Sequence, residues 1–144
     1  MIFLDTNILL RFITVPQNDH AIAHQESTRV LFRQIEAAAV QATFSEVVLH
    51  QATYLLAAKR HYNAPVPDIV ETFRIILGYA GITLSTQDRE IYFRAFDLWE
   101  GRPSLGFADC LIVARCECNG WELATFDQAL GRLPNIAHWQ PVFG

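Results

Sequence analysis

Four carboxylates from four distant segments stand just beyond the apolar runs of this sequence. Asp5 follows Ile2, Phe3 and Leu4 in MIFLDTN, and Glu46 stands in FSEVV, two residues past Phe44. Asp109 interrupts the apolar GFADCLIVA, and Asp127 closes ATFD. Taken singly, Asp5 and Asp127 suit helix N-caps, and Glu46 suits a first helical turn, where an acid complements the macrodipole. Asp109 resists that reading, because Phe107, Ala108, Cys110, Leu111 and Ile112 around it are apolar. Taken together, four acids at one edge repel one another. A hard divalent cation removes the conflict. Mg²⁺, with Mn²⁺ as its substitute, takes oxygen ligands, keeps several waters and bridges phosphate oxygens. Held by carboxylates, such an ion activates water and stabilises charge on a reacting phosphodiester. Four acids suffice for one ion or two.

The elements that must position these acids follow from periodicity. Ile2 to Leu4 reads as a first strand that holds Asp5 from inside the core, and Asp5 to Ile13 as a short buried helix. Pro16, Gln17 and Asn18 interrupt, and helical spacing resumes from Asp19 to about Ala39. Val40 to Phe44 reads as a second strand. Ser45 then caps a helix from Glu46 to Arg60. Pro67 opens another, which stops at Gly81. Ile82 to Leu84 reads as a third strand, and Ser85 or Thr86 caps a helix that runs to Gly101. After the loop RPSLG, a helix from Phe107 to Asn119 closes at Gly120. Trp121 to Thr125 reads as a fourth strand, Asp127 begins a short helix, and Ile136 to Trp139 forms an edge strand. Strands alternating with helices predict an α/β fold, three-layer α/β/α, with a small parallel sheet flanked by helices. Right-handed crossovers put the strand C-termini on one edge, where ligands bind in such sheets. All four acids are expected at that edge.

A chain of 144 residues, 51% of them hydrophobic, suits one domain over residues 1–144. No apolar run approaches the roughly 18 to 20 residues that cross a bilayer, and no basic segment precedes an apolar one as in a signal peptide. A soluble cytoplasmic protein is the expectation. Cys110, Cys116 and Cys118 are odd in number and lie on one helix, so they suit neither a disulfide framework nor a zinc site. They read as reduced thiols, partly in the core. The net charge of −4 argues against nucleic acid until the acids are placed. With four of the 15 acids assigned to one site, the other 11 balance the 11 Lys and Arg. Ten of those are Arg, which suits bidentate phosphate contacts.

DTNILLRF at residues 5 to 12, SEVVL at 45 to 49, FADCLIVA at 107 to 114 and ATFDQAL at 124 to 130 occur here in order. With these motifs the chain resembles the PIN-domain ribonucleases, and most closely the VapC-type toxins of bacterial toxin–antitoxin pairs. The resemblance covers nearly the whole chain. It implies a PIN-like fold and a metal-dependent endoribonuclease. It implies that Asp5, Glu46, Asp109 and Asp127 bind Mg²⁺ or Mn²⁺ and cleave RNA. Asn7 and Thr125 match polar helpers that orient an acid or contact the scissile phosphate. Thr6 matches too, and also suits a helix cap. The resemblance further implies a homodimer and a small antitoxin partner that blocks the acidic site. Cys110 follows the third Asp where a small apolar residue is common.

Other readings are weaker. A dehalogenase-like phosphatase wants a second Asp two residues after the first, and Asn7 stands there. A receiver domain wants a Lys at a late strand end, and the only Lys is Lys59, within a helix. A non-catalytic PIN-fold module that binds RNA or protein would not need intact acids. His50, one turn after Glu46, reads as a packed or surface residue. His20 and His24 share a helix face with no third ligand. Tyr92, Phe93, Phe96 and Trp99 read as core or dimer interface. Arg11, Arg102 and Arg115 read as parts of a solvated face.

Overall fold

In the computed structural model, which describes residues 1–141, β1 (Ile2–Phe3) lies parallel to β2 (Ala42–Thr43). Ile2 faces Ala42 and Phe3 faces Thr43. Parallel strands need a crossover, and α1 (Thr6–Ile13) and α2 (Asp19–Glu36) supply it. Leu9 and Leu10 of α1 enter the core, and Phe12 stacks on Phe32 of α2 with ring centroids 4.0 Å apart. Asn18 caps α2 by accepting the Ala21 N–H at 2.8 Å. Buried Gln25 donates its amide to the carbonyls of Thr14 (2.6 Å) and Arg11 (3.2 Å), so polar groups at the end of α1 are met from α2. Helices α3 (Glu46–Ala57) and α4 (Val66–Leu77) complete a first compact unit, which ends at Leu84.

A second unit begins at Ser85. It contains α5 (Thr86–Gly101), a 3₁₀ turn at Pro103–Leu105, α6 (Phe107–Asn119) and α7 (Gln128–Gly131). The Ser85 hydroxyl caps α5 by accepting the Asp88 N–H at 3.0 Å. Phe107 stacks on Phe96 at 4.5 Å and tilts against Trp99 at 5.4 Å, and Arg94 grips Glu117 through two bonds of 2.7 and 3.2 Å. The aromatic stripe is therefore core: Tyr92, Phe96 and Trp99 are buried, and Phe93 is half-buried. Gly120 closes α6 in the left-handed region, φ 64°, and its N–H reaches the Cys116 carbonyl. All three cysteines are free thiols, with Cys110 and Cys116 buried and Cys118 exposed.

The α/β class and its parallel pairing are as expected, with corrections of extent. Of Ile2, Phe3 and Leu4, Leu4 alone holds Asp5 from the core. It is fully buried, whereas Ile2 is 40% and Phe3 59% exposed. The third, fourth and edge strands contract to single parallel bridges, Ile82 with Ala42 and Leu123 with His138. Ser85 and Asp127 cap helices soon afterwards, so little extended backbone is left to pair. Helix α2 stops at Glu36 because Ala38 turns left-handed, φ 59°. Helix α3 stops at Ala57, short of Arg60, because Ala58 is extended. Helix α4 stops at Leu77, short of Gly81, and Gly78 caps it.

Gly81 serves a different purpose. Its N–H donates to the Ile35 carbonyl and its own carbonyl accepts the Ala42 N–H, both at 2.8 Å. A Cβ here would fall onto the carbonyl oxygens of Val40 and Ile35. This backbone approach ties the end of α2 to β2 and so fixes the strand that leads into Glu46. Gly81→Ala is expected to cost about 1–3 kcal/mol in urea denaturation, the usual cost of overpacking. Gly101→Ala, where an added Cβ meets nothing within 4 Å, is expected to leave stability unchanged or raised.

Candidate active site

The parallel register puts the C-terminal ends of β1 and β2 side by side, and an acid follows each. Asp5 is the N-cap of α1, and its Oδ1 accepts the Thr6 N–H at 2.7 Å. Its Oδ2 takes no protein hydrogen bond among the described residues. Thr6 is buried and donates its hydroxyl to Gln51 Oε1 at 2.7 Å, which locks α1 against α3. Glu46 is half-buried and opens α3 directly after Ser45, whose side chain makes no capping bond. Asn7 is exposed. Asp5, Thr6, Asn7, Gln51, Tyr54 and Leu55 line a cavity of about 400 Å³.

The second unit carries the other two acids. Asp109 lies half-buried in the first turn of α6. Burial chiefly, and then the charge of Asp127, raise its carboxyl above the usual range. Asp127 caps α7, and its Oδ1 accepts the N–H groups of Ala129 (2.8 Å) and Leu130 (3.1 Å). The Thr125 hydroxyl accepts the Asp127 N–H at 3.0 Å and so shapes the turn that presents the acid. Val113 and Cys116 of α6 pack with Leu123, Leu130 and Leu133, and this cluster anchors the segments bearing both acids. Burial and the Asp109 charge push the Cys110 thiol up to about 12. It stays protonated at neutral pH, as an inert core thiol does.

Asp109 and Asp127 thus face one another electrostatically in the second unit, whereas in the first Asp5 and Glu46 share only the edge at which their parallel strands end. Both caps use a single carboxylate oxygen, so capping a helix and binding a ligand are compatible roles for Asp5 and Asp127. Among the described residues, no group of three or more His, Cys, Asp or Glu is gathered to hold a metal ion. The donor chemistry of these four residues nevertheless suits a hard cation. They are all carboxylates, and the Asp109–Asp127 repulsion is of the kind that a shared positive charge relieves. His50 is exposed, with its ring 6.4 Å from Tyr54, and is a surface residue as expected. Gln51 and Tyr54 were not predicted from sequence. The Thr6–Gln51 bond joins residues 45 positions apart and has no local signature. Tyr54 did carry a signal, since it follows Glu46 and His50 at helical spacing on one face of α3.

The Asp109 shift has a consequence for stability. A carboxyl with a raised folded pKa binds its proton more tightly in the native than in the unfolded chain. Stability is therefore lost as pH rises from the ordinary 3.8 through the folded value, and stays lost above it. In metal-free buffer at pH 7, Asp109→Asn is expected to melt at a higher temperature than wild type. The gap should narrow as the pH falls toward 3.8. A variant melting below wild type at pH 7 would contradict the charge argument.

No curated protein matches this sequence. Residues 2–136 match the PIN domain family, a span that includes all four acids and most of both units. The chain belongs to the PIN domain family.

Proposed function

We propose that this chain is a metal-dependent endoribonuclease that hydrolyses RNA phosphodiester bonds with an activated water, and that it is the toxin of a type II toxin–antitoxin pair of the VapC type. PIN domains are typically metal-dependent nucleases and generally use divalent ions. The observation that carries the reading is Asp109, half-buried with the charge of Asp127 set against it. A half-buried carboxyl with a second carboxylate beside it is a placement that a bound cation stabilises, which supports the reading.

In this reading Asp5, Glu46, Asp109 and Asp127 hold Mg²⁺, or Mn²⁺ in its place, as one ion or two. When bound, the ion supplies Lewis acidity toward water and a phosphate oxygen. The remaining work falls to the chain. The Glu46 carboxylate or Asp127 Oδ2 takes the proton of the attacking water. Asn7 and Thr125 orient acids or meet the phosphate, and Thr6 holds the turn after Asp5. No side chain acts as nucleophile, and no covalent intermediate forms. Residues 1–144 act as a single domain in a homodimer in the cytoplasm. No helix among the described residues is long and apolar enough to cross a membrane. An antitoxin that occludes so acidic a site brings a cation to it, most naturally an Arg, whose fork pairs with carboxylates.

The test is cleavage of single-stranded RNA by wild type, Asp5→Asn and Asp109→Asn, each with Mg²⁺ and with EDTA. Wild type is expected to cut only with the metal, and each variant to lose about 10²-fold or more, as when a group that stabilises transition-state charge is removed. Equal cleavage by all three proteins would sink the site assignment.

A further inference from the structure

The cavity beside Asp5 has a wall that the acids do not explain. Gln51 and Tyr54 of α3 line it opposite Asp5, Thr6 and Asn7. Gln51 Oε1 is engaged by the Thr6 hydroxyl at 2.7 Å. That bond fixes the rotation of the amide, leaving Nε2 as a donor with no protein acceptor among the described residues. Tyr54 is 63% exposed, and its ring lies one helical turn from that of exposed His50. Tyr54 therefore presents an accessible aromatic face in the lining of the same cavity as Asp5. Asn7 adds a second neutral amide to the same cavity.

We propose that this cavity is a nucleotide subsite for single-stranded RNA, in which Gln51 Nε2 donates to a phosphate oxygen and Tyr54 stacks the adjoining base. The inference rests on the nuclease reading above and deepens it. Three properties favour it. The volume of about 400 Å³ suits one nucleotide. Neutral amides meet a phosphate next to Asp5 without forming ion pairs that would tie up the acid. An aromatic face accepts any base by stacking, which is worth about 1–3 kcal/mol and needs no sequence match. The subsite therefore contributes affinity and placement, while base preference is set elsewhere.

Steady-state cleavage of a short single-stranded RNA in Mg²⁺ separates these roles. Tyr54→Ala is expected to raise KM about 5- to 150-fold, the stacking energy expressed as a ratio, with kcat within about twofold of wild type. Tyr54→Phe keeps the ring and should retain the wild-type KM. Gln51→Glu replaces the donor with a charge and should raise KM more than Gln51→Ala. Because Tyr54 is exposed, its variants are expected to melt within a degree or two of wild type, about what surface changes cost. An unchanged KM in Tyr54→Ala overturns the subsite and leaves the nuclease intact. A fall in melting temperature on Gln51→Ala with KM unchanged assigns Gln51 to structure alone and overturns its phosphate contact. Absence of cleavage by wild type with either Mg²⁺ or Mn²⁺ overturns the underlying reading instead.

Discussion

Parallel pairing of two very short strands is the constraint on which the first half of this chain depends. Antiparallel strands end at opposite edges, but parallel ones end together, so Ile2 facing Ala42 places Asp5 and Glu46 at the same edge. With only two residues in each strand, hydrogen bonds of the sheet alone are too few to hold that register. Contacts around it carry the load. Leu4 and Phe44 are buried on the residues after the ladder, Gly81 lets the end of α2 approach β2, and Thr6–Gln51 joins the two helices that follow the strands. Leu4, Phe44 and Thr6 lie within two residues of an acid, and Gly81 bonds Ala42, four residues before Glu46. The packing that stabilises the edge also aims its carboxylates.

The second unit meets a different demand with similar parts. Its strand is a single bridge at Leu123, so the sheet positions little there. Asp109 and Asp127 are placed instead by helix starts: α6 carries one in its first turn, and α7 is capped by the other. A four-residue helix such as α7 is marginal alone, and its cap and the apolar cluster under Leu130 and Leu133 compensate. The Asp127 cap satisfies two backbone donors with one oxygen, an arrangement that rigidifies the carboxylate while leaving Oδ2 outside it. Under the proposed reading, structural and chemical duty are split between the two oxygens of one side chain.

Much of this was legible in sequence, for identifiable reasons. Helix periodicity, caps such as Ser85 and Asp127, and the Gly120 stop are local signals, and the structure reproduces them. The acids stood out because charges following apolar runs conflict with burial. Strand length was not legible, since an apolar run specifies extended burial but not how many rungs its neighbours offer. Ile2 and Phe3 show the error: they are apolar and lie in the first strand, yet Leu4 alone is buried. Gln51 was invisible for another reason. Its partner Thr6 is adjacent only after folding, and nothing in VVLHQATYLLA marks a polar residue as facing a site rather than solvent.

The balance of charge in this chain follows the same logic at a larger scale. Among the described residues, the cavity wall around Asp5 is built from that carboxylate, a threonine, two amides, a tyrosine and Leu55, with no Lys or Arg. A basic side chain there would stabilise Asp5 permanently by pairing with it, and would lower the affinity of the edge for any other cation. Neutral donors avoid this. Under the proposed reading they let an anionic backbone approach only after positive charge has arrived from solution, so substrate binding and cation binding become linked. In that reading the same vacancy of charge makes the edge vulnerable to any partner able to deliver a guanidinium. Under the proposed reading, activation and inhibition are then two ways of supplying one missing charge, as a small ion that leaves room for RNA or as an arginine that does not.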